Sequence, residues 1–150
     1  MQILTASSLS TFRECPRKFH YRYEMDRAPV KEAGALTFGR AAHAALEAWW
    51  RDGLSAAFAA LADRAEEIPE DAQAQILAAL KHYRPPAERF GVEGVEVPFE
   101  VKIQSPFAGR AFYGYRLAGR IDLLLRERET GELWVVDHKT TAAEITGFGT

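Results

Sequence analysis

Cysteine is nearly absent from this sequence of 150 residues, in which the only thiol is that of Cys15. A single cysteine cannot form an internal disulfide framework, so the class of small disulfide-stapled secreted proteins is excluded and a reducing, cytoplasmic location is favoured. Long apolar runs are also lacking. No stretch reaches the roughly 18 consecutive apolar residues of a membrane-spanning helix, and the first residues lack the basic start and apolar centre of a signal peptide. We therefore expect no membrane partner.

A strong net charge is missing as well, since 19 Lys and Arg residues face 21 Asp and Glu residues, for a formal net charge of −2. This balance gives no overall indication of nucleic-acid binding, so arguments from charge must be local. The apolar fraction of 47% and the charged fraction of 27% are typical of a globular domain. A chain of this length can bury one hydrophobic core, and we predict a single domain over residues 1–150.

Two apolar runs near the end of the sequence organise the rest of the chain. The first run spans residues 121–125 and contains Asp122, and the second spans 133–136 and leads into an Asp-His-Lys tripeptide. The segment between the runs is polar and contains Gly131. Two β-rich runs joined by a short polar segment with glycine predict a β-hairpin.

The hairpin register decides what Asp122 faces. Side chains alternate along a strand, so Asp137 and Lys139 are expected on one face and the intervening histidine on the other. A two-residue turn at 129–130 places Asp122 opposite Asp137, and one at 130–131 places it opposite Lys139. A three-residue loop would pair it with the histidine instead, unless a glycine bulge restored the parity.

Two carboxylates and an ammonium group on one face of this hairpin predict a cation site. Buried like charges repel and raise each other's pKa. A hard divalent cation removes the conflict, because Mg²⁺ takes oxygen ligands from one or two carboxylates and from water. The alternative is an ordinary salt bridge between Asp137 and Lys139 at a strand end. The second acid, Asp122, and the apolar flanks favour the cation site.

Helical patterns precede the hairpin. Ser7 is the predicted N-cap of a first short helix, and Pro16 suits the first turn of a second. An amphipathic helix is predicted from Phe38, with Gly53 as its C-cap. Further helices are predicted over residues 54–68 and 71–83, followed by an alternating strand over 95–103. Within that strand, Pro98 indicates a sheet edge.

The hairpin motifs GRIDLL and VVDHKT resemble the PD-(D/E)xK nuclease superfamily, specifically its RecB-type branch. Asp122, Asp137 and Lys139 match the charged positions of that branch residue by residue. The resemblance implies an α+β or α/β fold with a restriction-endonuclease-like core, in which N-terminal helices precede a mixed β-sheet that carries the active-site hairpin. It also implies a Mg²⁺- or Mn²⁺-dependent deoxyribonuclease, an exonuclease of DNA repair, recombination or phage DNA processing.

Two histidines join the site through the same resemblance. Gly39-x-x-x-His43 followed by Leu-Glu is similar to a family motif whose histidine is a metal ligand. A lone helical histidine is more often a surface residue, but the other motifs favour His43 as a ligand. Glu47 would steady the imidazole or be solvated, and we favour the second. The resemblance further implies that the backbone carbonyl of His138 is a ligand and that Lys139 orients or deprotonates the attacking water.

The segment SSLSTFRECPRKFHYRY resembles the opening of RecB-type nucleases. Its basic side chains alternate with aromatic ones, a mixture that suits phosphates and exposed bases. The alternative is a solvated helix whose aromatic rings pack on the core. The candidate DNA-binding residues are Arg13, Arg17, Lys18 and Arg22. Some family members use the matching cysteine in an iron–sulfur cluster, but a cluster needs four thiolates, so none is expected and Cys15 is interpreted as a small buried hydrophobe.

This sequence departs from the family pattern after Thr141. RecB-type domains continue with a helix bearing a Gln-x-x-x-Tyr motif, which residues 142–150 lack, and we therefore expect the domain to be incomplete at its C-terminus. DNA is the expected partner, with a helicase or another nuclease-complex subunit as a second candidate. The alternative function is a non-catalytic DNA-binding or docking module of a helicase–nuclease complex. The intact Asp122, Asp137 and Lys139 favour the enzyme.

Overall fold

A computed structural model describes residues 2–27, 34–105 and 111–141. These residues form five α-helices and a mixed four-stranded sheet, which confirms the predicted α+β class and is consistent with a restriction-endonuclease-like fold. The helices are α1 (Ala6–Glu14), α2 (Pro16–Phe19), α3 (Gly34–Asp52), α4 (Leu54–Ala62) and α5 (Glu70–His82). The strands are β1 (Gln2–Leu4), β2 (Phe90–Gln104), β3 (Ala111–Glu127) and β4 (Leu133–Val136). None of the described helices has the length and apolarity needed to cross a bilayer. Residues 142–150, which lack the family's Gln-x-x-x-Tyr motif, lie outside the described residues.

The sheet has the order β1-β3-β2, and β4 also pairs with β3. Strand β2 therefore lies at an edge of the described sheet, as Pro98 predicted, because proline cannot donate a hydrogen bond to a second neighbour. The chain divides into two compact units. The first comprises Met1–Glu32 and Glu96–Ile121, and the second comprises Ala33–Val95 and Asp122–Thr150.

The first unit contains β1, α1 and α2. Strand β1 runs parallel to β3, with Gln2 opposite Tyr115. Helix α1 is capped by Thr5 rather than by Ser7, so that prediction was wrong by two residues. The Thr5 hydroxyl accepts the Ser8 N–H at 3.1 Å, and the Ser8 hydroxyl accepts the Thr5 N–H at 2.8 Å. This reciprocal capping box satisfies two amide groups at once, whereas a cap at Ser7 would leave the Thr5–Ser8 pair unused.

Helix α2 begins at Pro16, as predicted, and passes into a π-helical turn over His20–Glu24. The missing N–H and fixed φ of proline suit a first helical turn. Aromatic rings contact one another along this segment, edge to face between Phe12 and Phe19 and tilted between Phe19 and Tyr23, with centroid separations of 5.3 Å in both pairs.

The second unit is built around α3. This helix begins at Gly34, four residues before the predicted start at Phe38, because no helix-breaking residue separates the two positions and the Thr37 hydroxyl donates to the Gly34 carbonyl at 2.8 Å. It ends as predicted, with Gly53 at a φ of 87° and its N–H donating to the Trp49 carbonyl. Small side chains on α3 pack against α4 and α5 in a core formed by Ala41, Ala42, Ala45, Ala57, Leu61, Ile68, Ile76 and Leu80.

The paired part of the hairpin β3–β4 lies in the second unit and joins Leu123 to Val136 and Arg126 to Leu133. This register is the one predicted for a turn at residues 129–130, but the loop is longer than two residues, since Glu127 donates to the Glu132 carbonyl and accepts from the Gly131 N–H. Leu123 and Leu125 enter a second core with Trp50 and Phe90. Strand β4 ends at Val136, so the alternation of faces predicted for residues 137–139 has no strand to support it.

Glu127 holds the turn of this hairpin. Its buried carboxylate accepts a hydrogen bond from the Thr130 hydroxyl at 2.8 Å and pairs with the Arg89 guanidinium. The hydrogen bonds from Thr130 and Arg89 lower the pKa of Glu127 below its ordinary value of 4.5. A carboxyl group with a lowered folded-state pKa contributes stability above its unfolded pKa, and the contribution is lost as pH falls through the folded-state value.

We expect Glu127→Gln to lower the melting temperature at pH 7 and to flatten the loss of stability in acid, because the neutral amide cannot form the charged pair with Arg89. Thermal unfolding followed by circular dichroism at several pH values between about 7 and 3 measures both effects. Glu129→Gln, an exposed position in the same turn, is the matched control. Identical curves for the two variants would contradict the assigned role of Glu127.

Candidate metal centre

Asp122 lies on β3 where the second unit begins, and its side chain is 15% exposed. One of its oxygens, Oδ2, accepts the main-chain N–H of His138 at 2.7 Å. The same oxygen lies 3.5 Å from Nδ1 of His43 and 3.9 Å from Nδ1 of His138. The structure therefore brings two other residues predicted for the site, His43 and His138, close to the Asp122 carboxylate.

Helix α3 presents His43 to this carboxylate. Gly39, one turn earlier, faces the chain beyond Lys139, where a side chain on Gly39 would stand 3.4 Å from the Thr140 hydroxyl. This distance is an ordinary van der Waals contact, so the segment passes beside the helix at Gly39. Glu47 instead forms an ion pair with Arg51 at 2.8 Å, and both side chains are at least one-third exposed. This pairing accounts for Glu47 by a surface interaction, the interpretation favoured from the sequence.

Asp137 and Lys139 lie together on the surface. The Lys139 ammonium group is 2.9 Å from the Asp137 carboxylate, and the two side chains are 79% and 56% exposed. The hydrogen bond to Asp137 raises the pKa of Lys139, and the charges of Asp137 and Asp122 add to the effect. The salt bridge considered as an alternative thus exists in the structure, while Asp122 makes its contacts with the two histidines.

His138 is the least exposed member of this tripeptide, with a side chain that is 16% exposed. Its Nε2 lies 3.2 Å from the Tyr83 hydroxyl, which in turn lies 3.0 Å from Nε1 of Trp50. Burial raises the pKa of Tyr83, and the hydrogen bond from Trp50 partly offsets this effect. Tyr83 follows α5 and lies 55 residues before His138. The sequence contains no motif that would connect it with the site.

The donor groups around Asp122 fit a divalent cation. His43 and Asp122 each offer one ligand atom to a group of side chains that could hold a metal ion. An imidazole with carboxylate oxygens is a ligand combination used for Mn²⁺ and related metals, and Mg²⁺ accepts the carboxylate oxygens together with water. Next to the centre, a cavity of about 320 Å³ is lined by Phe38, Leu46, Leu80, Tyr83, Lys139 and Thr140.

The basic segment predicted to bind DNA lies in the first unit, and its four basic side chains are exposed. The Arg17 guanidinium stands 5.8 Å from the centroid of the Tyr21 ring, and Arg22 stands 5.8 Å from that of Tyr23. Lys18 is paired with Glu14 at 3.0 Å. Two of the exposed arginines thus each stand near a tyrosine ring, while Phe19 between them is buried. Cys15, between α1 and α2, is partly buried.

The family model described as the PD-(D/E)XK nuclease superfamily matches residues 3–148 of the chain. No curated protein and no solved structure matches the chain significantly.

We expect His43→Ala to weaken Mn²⁺ binding at least about tenfold, because it removes the nitrogen ligand that α3 places beside the Asp122 carboxylate. Isothermal titration calorimetry with Mn²⁺ measures this loss. The matched control is His82→Ala, which removes an exposed imidazole from the end of α5. Equal Mn²⁺ affinity in the two variants would exclude His43 as a ligand.

Proposed function

The chain belongs to the PD-(D/E)XK nuclease superfamily, and on this premise we propose that it is a metal-dependent deoxyribonuclease that hydrolyses phosphodiester bonds. The observation that carries the proposal is the contact of Asp122 with His43 and with the main chain of His138, directly before Lys139. We further propose the RecB-type branch, with exonuclease action in DNA repair, recombination or phage DNA processing, beside a helicase or related subunit in the cytoplasm.

Asp122, Asp137, His43 and the carbonyl of His138 are the ligands that we propose for Mg²⁺ or Mn²⁺. Such a cation, when bound, lowers the pKa of a coordinated water and stabilises negative charge that develops on phosphate. Asp122 suits a permanent ligand because the His138 N–H fixes one of its oxygens at 2.7 Å. Asp137 is more exposed, so its carboxylate is accessible to a substrate and to solvent as well.

Lys139 acts in this proposal by holding charge rather than by removing a proton. Its pKa is raised, first by the hydrogen bond to Asp137, so the ammonium form dominates near neutral pH. An ammonium group has three donors and no acceptor, and it can therefore orient the attacking water and neutralise charge on the phosphate. The contribution of such a positioned cation to catalysis is electrostatic.

Lys139→Ala should reduce cleavage by about 10²–10³-fold while leaving Mn²⁺ affinity nearly unchanged, because an ammonium group stabilises charge but is not a metal ligand. Cleavage of a linear duplex with Mn²⁺ and calorimetric Mn²⁺ titration of the same preparation measure the two effects. Lys81→Ala, on the exposed face of α5, is the control and should cut like the wild type. A wild-type protein without Mn²⁺-dependent cleavage would refute the nuclease, and a large loss of Mn²⁺ binding in Lys139→Ala would give that residue a structural role.

The pair of substitutions Arg17→Ala and Lys18→Ala should weaken DNA binding and reduce its salt dependence by up to about two units of slope, if both side chains contact phosphate. Fluorescence anisotropy of a labelled oligonucleotide at several salt concentrations measures the slope. The control pair, Arg64→Ala and Lys81→Ala, removes the same number of charges from the second unit. An unchanged slope would assign the basic segment to an ordinary solvated surface.

A further inference from the structure

We propose that Tyr83, held by Trp50, is a positioning residue that fixes the His138 imidazole and, through the main chain of His138, the Asp122 carboxylate. The proposal rests on the proposed function, since it describes how one proposed metal ligand is held in place. It assigns a role to residues of α3 and of the segment after α5 that lie outside every motif of the hairpin.

The proposal fixes the order of donors and acceptors in this network. The Trp50 indole N–H can only donate, so the Tyr83 oxygen accepts its hydrogen over 3.0 Å. The proposal then assigns the Tyr83 O–H as the donor to Nε2 of His138, which lies 3.2 Å away. Under this assignment Nε2 carries the lone pair and the ring carries its hydrogen on Nδ1. This Nδ1–H edge is the one nearest to the Asp122 carboxylate, at 3.9 Å.

The His138 side chain is one contact that holds the segment after β4. Strand pairing ends at Val136, and the side chains of Asp137 and Lys139 are both more than half exposed. The His138 side chain between them is only 16% exposed. Fixing this ring fixes the adjoining main chain, whose N–H meets the Asp122 carboxylate at 2.7 Å. The positions of all three charged residues are thereby linked to the Tyr83 hydroxyl.

Helix α3 supplies both ends of this arrangement. His43 and Trp50 are seven residues apart, which is about two turns, so they lie on the same side of the helix. The rings of Trp49 and Trp50 contact Tyr83 edge to face, with centroid separations of 5.2 and 6.5 Å. Because these contacts hold the aromatic ring, removing only the hydroxyl leaves the packing intact. Tyr83→Phe is therefore a selective test of the hydrogen bond.

Two measurements on the full 150-residue chain test the proposal. Calorimetric titration should show Mn²⁺ binding about tenfold weaker in Tyr83→Phe, the usual scale for the loss of a group that orients a metal ligand. In the metal-free protein labelled with ¹⁵N-histidine, nuclear magnetic resonance should show the Nδ1–H tautomer of His138 in the wild type and its loss in Tyr83→Phe. The control is Tyr113→Phe, the same chemical change at a side chain that is 99% exposed.

Variants of His138 separate positioning from packing. His138→Gln retains an acceptor for the Tyr83 hydroxyl and should keep more of the Mn²⁺ affinity than His138→Leu, for which we expect a loss of about tenfold. Tyr83→Phe and His138→Leu break the same hydrogen bond. Adding Tyr83→Phe to His138→Leu should therefore lower the Mn²⁺ affinity by less than about a further twofold. Additive losses would overturn the proposal, as would wild-type tautomer and affinity in Tyr83→Phe.

These outcomes are distinct from a failure of the proposed function. A wild-type protein that shows no cleavage of DNA refutes the nuclease, yet the tautomer of His138 in the metal-free protein still decides the network. Conversely, a wild-type protein that cuts DNA, together with a Tyr83→Phe variant unchanged in tautomer and Mn²⁺ affinity, refutes the network and leaves the nuclease standing.

Discussion

The hydrogen bond from the His138 main chain to the Asp122 carboxylate is the interaction on which the candidate site depends. It joins β3 to the chain after β4 at the point where the ladder between these strands has ended. A buried carboxylate without partners is costly, whereas a hydrogen bond to a charged group contributes about 1.5–3 kcal/mol. The same bond that offsets the burial of Asp122 therefore also places the Asp137–Lys139 pair beside it.

Features set by neighbouring residues could be predicted from the sequence. The hairpin, one of its two-residue registers, the proline that opens α2 and the glycine that ends α3 all follow from local backbone preferences and from alternating hydrophobicity. The edge position of β2 follows from Pro98 in the same way. Errors at Ser7 and Phe38 concern only where a helix begins, because several nearby residues are compatible with that position and a specific side-chain contact decides between them.

Features set by distant residues could not be predicted. Strand β1 has three residues and forms by pairing with a parallel strand more than a hundred residues away. The faces of residues 137–139 depend on where pairing stops, and periodicity cannot locate that point. Tyr83 carried no signal, since a tyrosine after a helix is equally compatible with packing. The family resemblance predicted the charged residues as a group, but it contained no information about what holds them.

The arrangement of the tripeptide after β4 has a consequence for its central position. A residue between Asp137 and Lys139 whose side chain pointed to solvent would leave this segment without its side-chain contact to Tyr83, at a place where no strand pairing continues beyond Val136 in the described part of the chain. A partly buried ring that meets the Tyr83 hydroxyl helps to anchor this segment, while its main-chain N–H remains directed at Asp122. One carboxylate is then held firmly and the other stays exposed. That combination suits Mg²⁺, which takes one or two carboxylates, retains several waters and binds substrate phosphates.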